Sequence, residues 1–311
     1  MQVLVDIDKY NWPKNIKYKY RYLIFALFNL FIMPKISQLY IYPVKSLGGI
    51  SLQQAQVTSR GLQHDRRWML IDESNVFLSQ RKFPQMALFK LSLLEEGLEV
   101  IHASSLSRAV IPFIPQTQEH LSVKIWDDEC IGTRVSPALD EWFSNLLSFN
   151  CRLVYMGENS LRPVDPNYAG PQHITSFADA YPMLLISEAS LNDLNARLKE
   201  PIGMERFRPN MVITNTEPYQ EDALQHFTAA GINFYSVKPC ARCVMIGVDQ
   251  QTATTGTEPL KTLSGYRKAN NKIYFGQNLI HDGEGVLTVG DDLSIKQLGN
   301  KLQLNKAVAT I

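Results

Sequence analysis

The stretch ISQLYIYPVKSLGGISLQQAQVTSRGLQHDRRWMLID, residues 36–72, determines the type of fold. Its short apolar runs alternate with turn residues, and they predict strands at 36–42, 55–58 and 68–72 with a turn at 47–49. No long helical period interrupts these strands. Closely spaced short strands joined by turns are typical of all-β domains, so we expect a mainly β, barrel-like domain here.

The same pattern continues toward the middle of the chain. Further strands are predicted at residues 86–94, 98–102, 123–126 and 152–155. A helix is predicted at 137–147, because its apolar residues recur at the i, i+3 and i+4 spacing of one helical face. Residues 157–173 are rich in Gly, Pro and Asn and predict a long loop, a feature that is often functional in compact domains.

The second half of the chain is also expected to be mainly β. Strands are predicted at residues 182–186, 208–214, 232–237, 243–248 and 286–289. Ser187 is a candidate N-cap for a short helix, and a second short helix is predicted at 258–267 with Pro259 near its first turn. A turn at 290–292 precedes a closing strand. The predicted fold class is therefore mainly β with some α.

Composition sets the limits on function. The chain has 311 residues, of which 45% are hydrophobic and 20% charged, as in an ordinary globular protein. The net charge of +1 leaves no electrostatic basis for binding nucleic acid, so any anion site must come from local clustering of basic residues. Four cysteines in a chain of this length do not form a disulfide scaffold.

Cys240 and Cys243 form a C-x-x-C pair with several competing interpretations. A structural zinc site needs four ligands, and no second pair or suitably spaced His residues are present. A thioredoxin-like pair begins a helix, whereas we expect a strand at 243–248. The third interpretation is a single thiolate ligand for a soft or high-valent metal, with Arg242 helping to ionise it. The C-x-x-C alone does not favour this over two buried structural thiols, so the choice depends on the rest of the sequence.

Basic and polar residues recur where predicted strands begin or end. Lys45 and Ser46 follow the first strand, and a Lys with a hydroxyl and free backbone N–H groups suits a phosphate. Arg66 and Arg67 precede another strand, and strand alternation would send only one of them into a shared pocket. Arg208 and Asn210 suit an anion and the edge of a heterocycle. Together with Cys243, these residues predict a large anionic, heterocyclic cofactor.

The ordered set of short motifs resembles one family. The chain is similar to MOSC proteins (molybdenum cofactor sulfurase C-terminal-like proteins) with their N-terminal β-barrel domain, a group that includes bacterial YcbX-type proteins and the mitochondrial amidoxime-reducing component. The matching segments are YPVKS (42–46), DRRW (65–68), LISEASLNDLNARL (185–198), FRPN (207–210), CARC (240–243), EPLKTLSGYR (258–267) and FGQN (275–278).

The resemblance implies a domain division and a set of site residues. The domains would be an extension at 1–33, an N-terminal β-barrel domain at 34–150, a MOSC β-barrel domain at 151–299 and a tail at 300–311. Cys243 would be both the protein ligand to molybdenum and the catalytic residue. The residues expected to bind the molybdenum cofactor, Mo-molybdopterin, are Lys45, Ser46, Arg66, Asp179, Arg208, Asn210 and Asn278.

The resemblance also implies a reaction. The chain would be a molybdenum-dependent oxidoreductase that reduces N-hydroxylated small molecules with electrons from a separate ferredoxin- or flavoprotein-type partner. A plant-type iron–sulfur cluster needs four cysteines, and none follows Cys243, so no cluster is expected in this chain. The alternative function is a sulfur or molybdenum-cofactor carrier that uses a persulfide or thiolate on Cys243.

The N-terminus leaves the location of the protein open. Residues 14–22 are basic and residues 23–33 are apolar, a run too short to cross a bilayer unaided, which takes about 20 residues. The segment is a candidate membrane-surface anchor at 14–33, a signal-like sequence or a non-native extension before a natural start at Met33. We expect a cytoplasmic protein, with this segment as a candidate membrane contact.

Overall fold

The computed structural model describes residues 33–300. The expectations for the extension at 1–33, its membrane contact and the tail at 300–311 therefore lie outside the described residues, apart from their boundary positions. Among residues 33–300, no helix has both the length and the apolar character needed to span a membrane. The location of the protein stays a prediction.

The described residues contain nineteen strands and only a few short helices, and the mainly β class expected from the sequence is confirmed. The strands of the first half, β1 to β11, are Lys35–Ile41, Ile50–Leu52, Gln54–Thr58, Gly61–Leu62, Trp68–Ile71, Phe89–Leu93, Gly97–His102, Arg108–Pro112, His120–Ile125, Asp128–Arg134 and Arg152–Tyr155. The strands of the second half, β12 to β19, are Met183–Ser187, Met211–Thr214, Leu224–Ala229, Ile232–Arg242, Lys268–Ala269, Lys272–Asp282, Gly285–Thr288 and Ser294–Leu298.

The helices are few and short. Between residues 33 and 300, three α-helices, α1 to α3, span Pro137–Leu147, Glu188–Asn195 and Leu260–Ser264, and short 3-10 helices lie at Pro84–Leu88, Met204–Arg206, Gln220–Ala223 and Val244–Gly247. The first α-helix matches its predicted range. The second begins as predicted, because the Ser187 hydroxyl accepts a hydrogen bond from the backbone N–H of Ser190 at 3.1 Å and so caps the helix.

A large sheet forms the main body of the molecule. Its strand order is β19-β14-β15-β17-β12-β13-β1-β2, with β16 beside β17, and the pair β12–β13 is parallel. The residues just before β19 hydrogen-bond to the start of β1, with Ile36 N donating to Asp291 O at 2.9 Å and Leu293 N to Pro34 O at 2.7 Å. The sheet therefore closes into a barrel around an apolar interior that includes Leu39, Phe227 and Phe234.

The remaining strands pack beside this barrel. One sheet has the order β5-β11-β10-β9 and another the order β6-β7-β8, and α1 packs with them around Trp68, Phe89 and Phe143. A small sheet, β18-β3-β4, pairs a strand from the end of the chain with two from the beginning. Strands from both ends of the chain thus share sheets, and the division into domains at 34–150 and 151–299 stays a prediction.

Some predicted elements differ from the structure. The strand expected at 86–94 begins only at Phe89, because the preceding residues from Pro84 form a 3-10 helix. Proline is tolerated in the first turn of a helix, since a backbone N–H there would have no partner within the helix. The prediction of a strand at 243–248 is wrong, because β15 ends at Arg242 and Val244–Gly247 forms a 3-10 helix. In a short apolar run, the spacing of apolar residues does not distinguish a strand from a helix.

Seven strands have no counterpart in the predictions: β2, β4, β8, β10, β14, β16 and β17. Strand β10, with the sequence DECIGTR, is mostly polar, although Cys130 and Gly132 alternate inward as expected for a half-buried strand. The predicted helix at 258–267 is confined to Leu260–Ser264. Polar edge strands and short helices depend on their neighbours, which a single sequence does not show.

Gly276 provides a test of how β17 is held against β12. Its φ is +84°, and a Cβ atom there would lie 2.7 Å from the carbonyl oxygen of Leu185. We expect Gly276→Ala to lower the free energy of unfolding by about 2–4 kcal/mol, from backbone strain plus the clash. Gly231 is the matched control, with φ +79° and open space around its Cβ position, so Gly231→Ala should cost only the strain, about 1 kcal/mol. If urea unfolding shows the same loss of unfolding free energy in both variants, the close contact between position 276 and Leu185 is contradicted.

Candidate functional site

A cleft between the barrel and the β5 sheet collects the residues singled out in the sequence. Together with the solvent space at its open mouth, the cleft has a volume of about 840 Å³. The sequence-predicted residues that line it are Lys45, Ser46, Arg66, Asp179, Arg208, Asn210, Cys243 and Asn278, which is the complete predicted set. Residues far apart in the chain thus meet at one place.

Backbone pairing brings the first two motifs together. The segment 42–45, which follows β1, runs beside the segment 65–68, which leads into β5. The N–H of Lys45 donates to the carbonyl of Trp68 at 2.8 Å, and the N–H of Arg66 donates to the carbonyl of Tyr42 at 3.0 Å. Since both segments are pinned to each other, Lys45 and Arg66 are held at the same wall of the cleft.

Three of the cleft residues have a left-handed backbone. Ser46, Arg66 and Arg208 have φ values of 68°, 49° and 56°. Residues other than glycine rarely adopt this conformation, which costs of order 1–3 kcal/mol each and is concentrated at functional sites. The strain marks these turns as positions where the direction of the side chain matters more than local stability.

Lys45 is a buried cation with two acceptors. Its ammonium donates to the Phe177 carbonyl at 2.8 Å and to Asp179 Oδ1 at 2.6 Å, and its side chain is only 6% exposed. Burial lowers the pKa of Lys45 to about 8, although the Asp179 carboxylate opposes this shift. The Lys45 ammonium, helped by the Arg81 guanidinium and the Trp126 N–H, in turn holds the pKa of Asp179 below its usual range. The pair is thus ionised at neutral pH.

Arg66 and Arg208 form a second cationic group around one tyrosine ring. Their guanidinium carbons lie 4.4 and 4.2 Å from the ring centre of Tyr42, which is fully buried. Arg66 also donates to both oxygens of Asp65 and, at 3.0 Å, to Oδ1 of Asn210. The two guanidinium groups therefore share a rigid apolar support, and cation–π attraction offsets part of their desolvation.

Arg208 is a buried cation whose hydrogen-bonding capacity is only partly used. Its Nη1 donates to the Leu47 carbonyl at 2.6 Å, but its Nη2 is buried without a hydrogen-bond partner within the described residues. Burial, followed by repulsion from Arg66, lowers the pKa of Arg208 to about 10. A buried donor without an acceptor is costly, so this arrangement favours an anionic ligand beside Arg208.

The two asparagines are hydrogen-bonded to the protein itself. Asn210 accepts from Arg66 and from the N–H of Leu184 and donates to the carbonyl of Tyr40. Asn278 donates to the carbonyl of Lys238 at 3.1 Å. Asn210 therefore ties Arg66 to β12 and holds the wall in place, a role that the sequence did not indicate.

Cys243 lies where β15 ends. It is exposed, whereas Cys240 is half-buried, and it lines the cleft just before the 3-10 helix Val244–Gly247. Arg242 donates to the Cys240 sulfur at 2.9 Å and also to the Phe207 carbonyl, so its guanidinium is fixed at the cleft wall. Both cysteines line the cleft, but Cys243 is the more exposed of the two, and the Cys240 sulfur already accepts a hydrogen bond from Arg242.

Arg67 lies outside the cleft, but strand alternation, the reason expected from the sequence, does not explain its position. Its guanidinium donates to the carbonyl of Met156 and pairs with Glu158 at 2.7 Å. Strand alternation does not separate it from Arg66, because β5 begins only at Trp68. The left-handed turn at Arg66 directs the two side chains apart.

Several cleft residues were missed by sequence reasoning. Phe77, Ser79 and Arg81 line the wall from the segment after β5, which carries no motif beyond the basic pair Arg81-Lys82. Arg242 was considered only for its effect on the neighbouring thiols. Among the described residues that line the cleft, five are basic (Lys45, Arg66, Arg81, Arg208 and Arg242) and Asp179 alone is acidic. This excess of positive charge makes the cleft an anion site despite a near-neutral chain.

Comparison with known proteins covers most of the chain. Residues 33–150 match the MOSC N-terminal beta barrel domain, and residues 172–294 match the MOSC domain. The chain is 31% identical over 275 residues to mitochondrial amidoxime-reducing component 1 of Homo sapiens, covering 82% of this chain and 81% of that protein. It is 30% identical over 274 residues to the molybdenum cofactor sulfurase of Solanum lycopersicum, covering 78% of this chain and 32% of that longer protein.

The depressed pKa of Lys45 predicts a pH-dependent anion affinity. Lys45 loses its charge as pH rises through about 8, whereas sulfate keeps its charge over this range. We expect the affinity of the ligand-free chain for sulfate to fall about tenfold between pH 7 and pH 9, a range in which Arg208 stays charged, because one charge-assisted hydrogen bond from Lys45 is lost. Isothermal titration calorimetry would measure it. The Lys45→Gln variant should bind weakly with little pH dependence, and a parent chain without a decline would refute the assignment.

Proposed function

The chain belongs to the MOSC family that includes the mitochondrial amidoxime-reducing components, and from this premise we propose that it is a molybdenum-cofactor-dependent oxidoreductase. The proposed reaction is the reduction of N-hydroxylated small molecules. The observation that carries the proposal is the single cleft in which the exposed thiol of Cys243 faces a wall of buried cations.

The residues of the cleft fit a pterin cofactor of this kind. The terminal phosphate is an anion, and Nη2 of Arg208 and Nε of Arg242 are buried donors without partners in the described chain. A thiolate is a suitable protein ligand for a high-valent metal, and Cys243 offers one from the end of β15. Among residues 33–300, no three His, Cys, Asp or Glu side chains converge to form a separate metal site.

Each group has a defined role in this proposal. Cys243 would hold the metal, and the cations at Lys45, Arg66 and Arg208, with the hydroxyl of Ser46, would hold the anionic and polar parts of the pterin. Asp179, Asn210 and Asn278 would complete the wall, with Asn210 fixing Arg66. When bound, the cofactor supplies two-electron redox chemistry at the metal, while the protein orients the reactants and excludes side reactions.

The reaction requires reactants from outside the chain. Conversion of an N–OH group to N–H consumes two electrons and two protons and releases water. The protons are available from solvent at the open mouth of the cleft, and we propose that the electrons come from a separate ferredoxin- or flavoprotein-type partner. A direct test is to measure molybdenum content and hydroxylamine reduction in the same preparation, with reduced methyl viologen as an artificial donor.

A second candidate function follows from the exposure of Cys243. An accessible thiol at a strand end could hold a persulfide, and one relative is named as a molybdenum cofactor sulfurase. In this proposal the chain carries sulfur or the cofactor to another protein. Labile sulfur on Cys243 in a molybdenum-free protein would favour the carrier, whereas stoichiometric molybdenum with turnover of hydroxylamine favours the reductase.

Substitution of the two cysteines tests the metal ligand. We expect Cys243→Ser to retain the fold but lose at least 90% of the molybdenum and the activity, roughly a tenfold loss or more, because a hydroxyl is a poor replacement for a thiolate on this metal. Cys240→Ser should be much milder, since that sulfur accepts a hydrogen bond from Arg242 and a hydroxyl can do the same. Equal losses in elemental analysis would indicate a dithiol site instead.

The buried cation Arg208 tests cofactor retention. A ligand that binds only the folded state stabilises it by about 4 kcal/mol at a thousandfold excess over Kd, so loaded protein should melt well above the ligand-free form. Arg208→Ala should remove much of this gain and weaken cofactor binding by about 10- to 100-fold, because a charged hydrogen bond is lost. Calorimetry of the loaded and ligand-free forms of each variant measures the difference between their melting temperatures.

Arg67→Ala is the matched control for that experiment. It removes an equally buried guanidinium whose partners, Met156 and Glu158, lie outside the cleft. It should lower the melting temperature of both forms while the gap between them persists. If Arg67→Ala closes the gap and Arg208→Ala does not, the assignment of the cationic wall is wrong.

A further inference from the structure

A tryptophan occupies an unusual position near the mouth of the cleft. Strands β9 and β10 form a hairpin in which Ile125 pairs with Asp128, so Trp126 is the first of the two loop residues. Its φ is 55°, a conformation for which such loops prefer glycine or asparagine. Its side chain is also 41% exposed and so is not part of the apolar core. Neither turn geometry nor core packing explains a tryptophan here.

The indole is held by three groups that line the cleft. The guanidinium carbon of Arg81 lies 4.1 Å from the ring centre, and the Phe77 ring meets the indole edge-on at 4.9 Å. The indole N–H donates to Asp179 Oδ1 at 3.3 Å. The polar atom of Trp126 is therefore used on the protein side, and the exposed remainder of the residue is aromatic surface.

The hairpin itself is clamped to the segment that carries Asp179. Arg162, which is buried, donates to the Asp128 carboxylate at 2.7 Å and to the carbonyls of Ser176, Ala178 and Asp179. The loop tip and the Asp179 wall are thus joined through one guanidinium. An exposed aromatic ring that is held this firmly loses little conformational entropy when a ligand packs against it.

We propose that Trp126 is a specificity-determining residue that stacks on flat, conjugated substrates at the entrance to the cleft. The proposal rests on the proposed reductase function and adds to it the substrate class that this entrance favours. Stacking on an aromatic side chain contributes to the binding of any planar ring and needs no particular hydrogen-bonding pattern. A small substrate without a ring gains nothing from the indole.

The test compares one flat and one small substrate. The parent chain and Trp126→Ala would be assayed with the hydroxylamino derivative of cytosine and with hydroxylamine itself. For Trp126→Ala we expect KM for the cytosine derivative to rise about tenfold with kcat little changed, and neither constant to change for hydroxylamine. Trp126→Phe keeps a flat ring but loses the bond to Asp179, so it should retain most of the affinity.

Trp142→Phe is the matched control. Trp142 packs on Phe89 and Phe143 away from the cleft, and its N–H donates to Ser107. Trp142→Phe should therefore leave KM and kcat unchanged for both substrates. A fall in activity that is equal for both substrates in Trp126→Ala would overturn the proposal. A Trp126→Phe variant as impaired as Trp126→Ala would also overturn it, because the bond to Asp179 would then be the important contact.

Binding separates this proposal from the function on which it rests. Equilibrium dialysis of the full chain with the cytosine derivative needs no turnover. If the parent reduces neither compound, the proposed function fails, yet weaker binding to Trp126→Ala than to the parent would still support the stacking role. Equal binding to the parent and to Trp126→Ala overturns it in either case.

Discussion

The buried carboxylate of Asp65 is the contact on which the rest of the cleft depends. It accepts the backbone N–H of Tyr42 at 2.8 Å and both of its oxygens bond Arg66. One side chain thus fixes the end of β1 and the direction of the neighbouring guanidinium. Arg66 then reaches across to Asn210 and to the carbonyl of Arg208 at 3.1 Å, so the two halves of the chain are joined through a charged network.

Burying this charged network disfavours folding, and that free-energy cost indicates what the cleft is built to do. Burial raises the pKa of Asp65 against the pull of Arg66, and it lowers the pKa of Lys45 and Arg208. Burying ionised groups disfavours folding unless each is paired, and removing one partner leaves the other uncompensated. A protein with no anion to bind would gain stability from apolar residues of similar volume. The positive excess is therefore best understood as a site whose balance is completed by a ligand.

The charge pattern and the thiol belong to different parts of the fold. Lys45, Arg66, Arg81 and Arg208 come from turns next to the barrel and the β5 sheet. Cys243 instead follows Arg242 at the end of the long strand β15, which pairs with β17 along most of its length. A strand end gives a metal ligand a rigid backbone on one side and an open approach on the other. This division fits a cofactor that spans from an anionic end to a metal, and it leaves the Trp126 side of the mouth free for substrate.

The amino-acid sequence by itself predicted the fold class, most of the strands, the helix at Pro137–Leu147 and eight of the residues that line the cleft. Alternating apolar residues and turn residues act locally, so they can be read without neighbours. The motifs at Lys45, Arg208 and Cys243 were recognisable because each combines a chemical group with a strand boundary. Their order along the chain then identified the family.

Only the tertiary structure decided how those residues are used. It showed that left-handed turns, not strand alternation, separate Arg66 from Arg67, that Asn210 supports Arg66, and that Cys243 precedes a 3-10 helix. It also brought Arg81 and Trp126 to the cleft, although neither stands in a recognisable motif. The physical reason is that side-chain direction, burial and pairing arise from contacts between residues far apart in sequence, and such contacts leave no local pattern.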